Sequence, residues 1–156
     1  MDTYCESALH QIEVAVNTVL AITSKLKEID LQYRPTSNKH SIGEILEHIA
    51  VICEADWRIS IEATKEEMEE FYANVSYKNI ASLRENLLKN YQTLRGCYLS
   101  LSEEELLTKT SSYWGLTYTR YEWLLEILAH LYHHRGQLHA MLVHCYEKDP
   151  QIMMFE

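Results

Sequence analysis

The sequence predicts an all-α protein built as a four-helix bundle, and three observations carry that prediction. Apolar residues recur at three- and four-residue spacing along four long stretches, the signature of amphipathic helices. Only four Gly and two Pro interrupt 156 residues, so long elements run unbroken. Hydrophobic residues make up 47% of the chain, enough for a real core in one domain spanning 1–156.

The first predicted helix covers Thr3 to Glu28, with Leu9, Ile12, Val16, Leu20 and Leu26 on one stripe. Pro35 breaks the connection "DLQYRPTSNKHS" that follows. Ser41 then opens the second helix in a capping box with Glu44. That helix runs to about Glu62, bends before "EEMEEFYANVSYKN", and lines up Ile45, Ile49, Ile52 and Ile59. A third helix spans about Ile80 to Leu101, and Ser102 caps a short turn, "SEEELL". In "TSSYWGLTYT", β-branched and aromatic residues around Gly115 read as a loop or small hairpin. Thr119 with Glu122 forms a second capping box, and the last helix continues to about Glu147, before Pro150. The first and third connections are about a dozen residues or longer, enough to cross a bundle at roughly 3.3 Å per extended residue. Spacing alone therefore leaves the helix directions open.

Composition excludes several classes. A formal net charge of −9, with no basic stripe, argues against nucleic-acid binding. The start "MDTYCESALHQ" lacks the basic and apolar regions of a signal peptide. The longest clean apolar run, "IAVIC", falls far short of the roughly 18 residues a membrane span needs. Cys5, Cys53, Cys97 and Cys145 are scattered without a C-x-x-C pair, which points to reduced thiols and a cytoplasmic protein.

The chemistry is concentrated in "LAHLYHHRGQLH", which holds His130, His133, His134 and His139. Each helical residue turns by about 100°, so His130 and His134 sit one turn apart on one face, His133 at its edge and His139 opposite. The H-x-x-x-H spacing lets two imidazoles reach one ion. A third ligand must come from elsewhere, and His48 in "ILEHIAVI" lies on the stripe expected to face the interior. Alone it would read as a hydrogen-bonded core histidine; opposite a histidine pair it completes a three-histidine site with open positions. No histidine has Glu three residues before it, which disfavours a di-iron bundle, and no H-E-x-x-H occurs. Cys145 lies about 16 Å along the helix from His134, too far to share the ion. Glu126 and Glu44, one turn before His130 and His48, are candidates for a base or for fixing an imidazole tautomer, although Glu44 already has a capping role. His10, His40 and His144 have no evident partner. Gly136, inside the helix, suggests close approach by a neighbouring element. Trp123 lies on the His130 face and reads as core.

"SIGEILEHIA" and "HLYHHRGQLHAML" together resemble the DinB-like (DinB/YfiT) superfamily of metal-binding four-helix bundles. "TKTSSYWGLTYTRYEWLLEILAH" also resembles the loop that precedes that family's last helix. The resemblance spans most of the chain, and its specific part is H-x-x-x-H-R-G-Q, His130 to Gln137. It implies metal ligands at His48, His130 and His134, the same three that spacing selects. It also implies an up-up-down-down bundle with long crossovers, a homodimer, and a divalent metal, nickel or zinc. Characterised relatives use low-molecular-weight thiols, in S-transfer and in isomerisation.

Two functional classes follow. In the first, the protein is a metal-dependent enzyme that activates a thiol or water for a small-molecule substrate, as in thiol S-transfer or hydrolysis. In the second, it is a non-catalytic metal-binding stress-response protein.

Overall fold

The structure, a computed structural model, describes residues 3–156. Four long helices, α1 (Thr3–Thr23), α2 (Ile42–Ser60), α4 (Ile80–Leu99) and α6 (Arg120–Ala140), form the bundle. Two short helices, α3 (Lys65–Ala73) and α5 (Glu103–Leu107), and a hairpin of β1 (Lys109–Ser111) and β2 (Thr117–Thr119) lie in the connections. The hairpin is antiparallel, with Thr110 opposite Tyr118, and Gly115 takes the left-handed φ of 93° at its turn. No helix among the described residues is long and apolar enough to cross a membrane.

Local signals set most helix ends. Ser41 caps α2 reciprocally: its hydroxyl accepts from the Glu44 N–H at 3.1 Å, and its own N–H donates to Glu44 Oε2 at 2.9 Å. Ser102 and Glu105 do the same for α5. Thr119 caps α6 by accepting from the Glu122 N–H at 3.0 Å, the N-cap half of the expected box. α1 stops at Thr23, five residues before the predicted end. The Thr23 and Ser24 hydroxyls bond back to the Leu20 and Ala21 carbonyls and compete with the helical ladder. Beyond Ala140 the last helix continues as a π-helical turn, Met141–Cys145, and Glu147 ends it with a φ of 52°.

Packing orders the bundle. α2 lies between α4 and α6, and so does α1, which places α1 and α2 at opposite corners. The Arg84 guanidinium reaches the Leu20 carbonyl and the Tyr91 hydroxyl reaches the Leu9 carbonyl, so α1 and α4 are antiparallel. Asn90 Nδ2 donates to the Ala50 carbonyl and Tyr98 stacks edge-on against Trp57, so α2 and α4 are parallel. His48 faces His134 while Asp56 meets His130, so α2 and α6 are antiparallel. The order of directions is up-down-down-up, which corrects the up-up-down-down arrangement implied by the resemblance. The crossover that parallel α2 and α4 require is residues 61–79, and α3 rides on it. The sequence disguised that connection as a bent second helix. In fact Thr64 and Glu67 form their own capping box and start α3 afresh.

The main core joins all four long helices through residues such as Ile12, Ile45, Ile49, Leu94, Leu124 and Ile127. Each fully buried aliphatic side chain contributes about 1.5–3 kcal/mol. A smaller cluster under the crossover holds Val51, Ala55, Ile59, Met68 and Trp123. Trp123 is thus core, as its spacing suggested, and its indole N–H donates to the Thr110 carbonyl at 3.4 Å.

Candidate metal centre

The site lies on the seam where α2 and α6 run antiparallel. His48 comes from the middle of α2, and His130 and His134 from consecutive turns of α6. One ligand-type atom from each lies within 4.8 Å of the other two. His48 Nε2 and His130 Nε2 are 3.3 Å apart, and the His48 and His134 ring centroids are 4.4 Å apart. The three histidines singled out from sequence are therefore brought together.

Each imidazole is prepared differently. His130 Nδ1 donates to Asp56 Oδ2 at 2.7 Å, which leaves Nε2 as the lone-pair nitrogen turned toward His48. That hydrogen bond raises the His130 pKa against the opposing effect of burial. His134 Nδ1 bonds Gln137 Oε1 at 2.9 Å, and burial lowers its pKa despite that bond. Burial, then the two neighbouring imidazoles, push His48 down to about 4. His48 and His134 are thus neutral near pH 7, as metal ligands must be.

Asp56, 7% exposed, was absent from the sequence reading. The available signal was a lone carboxylate beside Ala55 on the buried stripe, eight residues after His48. Those eight residues turn it by about 80°, and only the packing of α6 decides what it meets. Glu126 Oε1 stands 3.9 Å from His130 Nδ1, farther than Asp56. Burial and then the Asp56 charge push the Glu126 carboxyl up to about 7. Glu44 is committed elsewhere: it accepts a bidentate pair from Arg34 at 2.7 Å and the Ser41 N–H, and these hold its pKa down at about 2.

The other imidazoles lie outside the cluster. His10 meets Glu156 at 3.1 Å, His40 stands 3.7 Å from Glu44, and His133 packs beside His134. Gly136 corrects an expectation: a Cβ there would meet nothing within 4 Å, so no element approaches it. The close approach is at Gly43, where a Cβ would fall 2.8 Å from the Leu31 carbonyl oxygen.

The donor set fits a divalent ion. Two nitrogens bound to one tetrahedral ion at about 2.0–2.1 Å are themselves about 3.3 Å apart, the separation of the His48 and His130 nitrogens. Residues 11–138 match the DinB superfamily. The chain belongs to the DinB superfamily. Among solved structures, this DinB chain is similar to a protein of Exiguobacterium sibiricum grouped with the DinB family. They share 30% identity over 99% of each chain, with a TM-score of 0.87. It also resembles the DinB-like protein YjoA of Bacillus subtilis, at 18% identity over 90% of each chain and a TM-score of 0.68. A mutant of mycothiol-dependent maleylpyruvate isomerase shares the fold, at 15% identity and a TM-score of 0.63 over 88% of this chain and 63% of that one. None of the curated proteins matches this chain.

Proposed function

We propose that this DinB protein is a divalent-metal enzyme whose ligands are His48, His130 and His134, and that it activates a thiol, or water, against a small-molecule electrophile. The observation that carries the reading is the convergence of three imidazoles, with His130 aligned by a buried carboxylate. Nickel or zinc suits an all-imidazole donor set. When bound, such an ion supplies a Lewis acid that lowers the pKa of a thiol or water and stabilises the resulting anion.

The chain's own residues do the rest. Asp56 fixes the His130 tautomer, and Gln137 does the same for His134. Three protein donors leave positions open for substrate. Glu126, beside Asp56 at the edge of the cluster, is the group placed to hold or release a proton. Thiol transfer is the first reaction to test, since one protein of the same fold is named for its dependence on mycothiol. The partners in this reading are a low-molecular-weight thiol and a second copy of the chain in a cytoplasmic homodimer. The acidic charge disfavours nucleic acid.

The test begins with metal analysis of protein purified without a histidine tag. One divalent ion per chain is expected, lost in His130→Ala. Absence of stoichiometric metal would remove the proposal. Metal-dependent conjugation of a cellular thiol to a model electrophile is then expected, and metal binding without a rate for any thiol would remove the transfer reading.

A further inference from the structure

The crossover helix packs beside the site: its Met68 shares a buried cluster with Val51 and Ala55, which flank Asp56 and His48 on α2, and with Trp123 of α6. Arg58 lies 4.5 Å above the ring of Phe71, in the last turn of α3, and the Tyr77 N–H, beyond that helix, donates to Glu47 Oε2 at 2.7 Å. Between residues 71 and 77 the chain therefore returns from the level of Arg58 to that of Glu47. Arg58 leans toward the N-terminus of its helix and bonds Glu54 at 2.8 Å, so Phe71 is level with the Glu54–Arg58 turn. Tyr72, the next residue, lies close enough to Asp56 to feel its charge. Met68, fully buried, faces the α2–α6 seam. Tyr72 is one turn farther on and about 40° around from it, on the same side of α3.

The hairpin reaches the same region from the other side. The Ser111 N–H donates to Glu62 Oε1 at 2.9 Å, and Trp123 holds the Thr110 carbonyl, which pins the hairpin to the end of α2 and the start of α6. Its turn presents Tyr113 and Trp114, packed edge-to-face at 4.8 Å. Tyr72, Tyr113 and Trp114 are 45%, 47% and 55% exposed. Burial first, and then the fields of Asp56 and Tyr113, raise the Tyr72 hydroxyl to about 12, so it stays a hydrogen-bond donor at neutral pH. Clustered, half-exposed aromatic rings beside an accessible polar centre are what a small-ligand site provides, with apolar faces for the body of the ligand and a few polar groups for its reacting end.

We propose that Tyr72, Tyr113 and Trp114 form the substrate-binding rim of the three-imidazole site and select a substrate with a planar apolar group next to its reacting atom. This assignment rests on the functional reading above. Tyr72 is the inner contact, Tyr113 and Trp114 the outer ones. The three rings come from the crossover and the hairpin, outside the bundle helices that hold the ligands.

The experiment compares benzyl mercaptan with 2-mercaptoethanol, two thiols of similar acidity, by calorimetric titration of the cobalt(II)-loaded protein. The cobalt visible spectrum reports the metal site. The parent should bind benzyl mercaptan at least about 10-fold tighter, the range expected for contact with one or two aromatic rings. Tyr72→Ala and Trp114→Ala should erase most of that preference with the cobalt spectrum unchanged, and Tyr72→Phe, which keeps the ring, should retain it. A parent without preference, or variants that keep it in full, would overturn the rim. If the parent fails to load cobalt, the metal reading falls instead, and the same preference measured on the unloaded protein decides the rim.

Discussion

The sharpest expectation concerns Asp56, because the structure gives it a role that neither spacing nor resemblance assigned. Its carboxylate is 2.7 Å from His130 Nδ1, is nearly buried, and has the imidazole as a direct partner. Replacing such an outer carboxylate lowers metal affinity by about 10- to 100-fold, or about 1.4–2.8 kcal/mol. The two substitutions should separate charge from contact. In Asp56→Asn an amide oxygen still accepts the Nδ1–H, so the loss lies near 10-fold. In Asp56→Ala the tautomer is released and the loss approaches 100-fold. Glu126→Gln should change affinity less than either, since Glu126 is 3.9 Å away. Glu44→Gln should leave it unchanged, because that carboxylate is taken up by Arg34 and Ser41. Competition against a chromophoric chelator measures all four, with circular dichroism to confirm folding. Parental affinity in a folded Asp56→Ala protein would refute the reasoning, and so would a Glu44→Gln defect as large as that of Asp56→Ala.

Other expectations follow from the same geometry. Metal retention should fall as pH drops below about 6.5, the ordinary imidazole value. His130 takes up the competing proton first, because Asp56 raises its pKa, whereas burial holds His48 near 4; retention independent of pH from 8 to 5 would contradict this. Gly136→Ala should stabilise the protein by up to about 1 kcal/mol, since the new methyl enters open space on a helix. Gly43→Ala should destabilise it by about 1–3 kcal/mol, because the methyl meets the Leu31 backbone. Thermal melts of the pair test both signs. Asp30, 2% exposed, bonds Lys148, the Tyr146 hydroxyl and the Lys27 N–H. Asp30→Ala should cost about 2–3 kcal/mol and lower Tm by about 5–10 °C. Burial pushes the Asp30 carboxyl up, but its three partners outweigh that and hold its pKa below the ordinary value. Its contribution is therefore complete above about pH 4 and is lost as pH falls further. A parent–variant difference in Tm that stays constant down to pH 2 would disprove the linkage.

The bundle was legible because helices announce themselves locally. Periodicity marked the four long helices, the Ser41 and Ser102 caps marked two starts, and the aromatic run around Gly115 marked the hairpin. The three histidines were legible for the same reason: His130 and His134 share a face by helix geometry alone, and His48 stood out on an apolar stripe. Glu44 illustrates the limit. It sits one turn from a histidine, as a partner should, yet Arg34 from the preceding connection captures it. Gly136 misled because a glycine in a helix signals either contact or tolerance, and only the neighbouring atoms distinguish them.

Sequence by itself determined which segments are helices, where most of them begin, and that His130 and His134 share one face, since each follows from spacing within ten or so residues, whereas His48 meets that pair only through the packing of α2 on α6. The tertiary structure alone decided the directions of the helices, the partnership of Asp56 with His130, and the return of the crossover along α2 that leaves Tyr72 near Asp56. Those depend on contacts between residues some 30 to 80 positions apart, where a turn of 100° per residue no longer says which face meets which. The long crossover between two parallel helices is the hinge of the matter, because it fixes at once the order of the bundle and which residues pack beside Asp56.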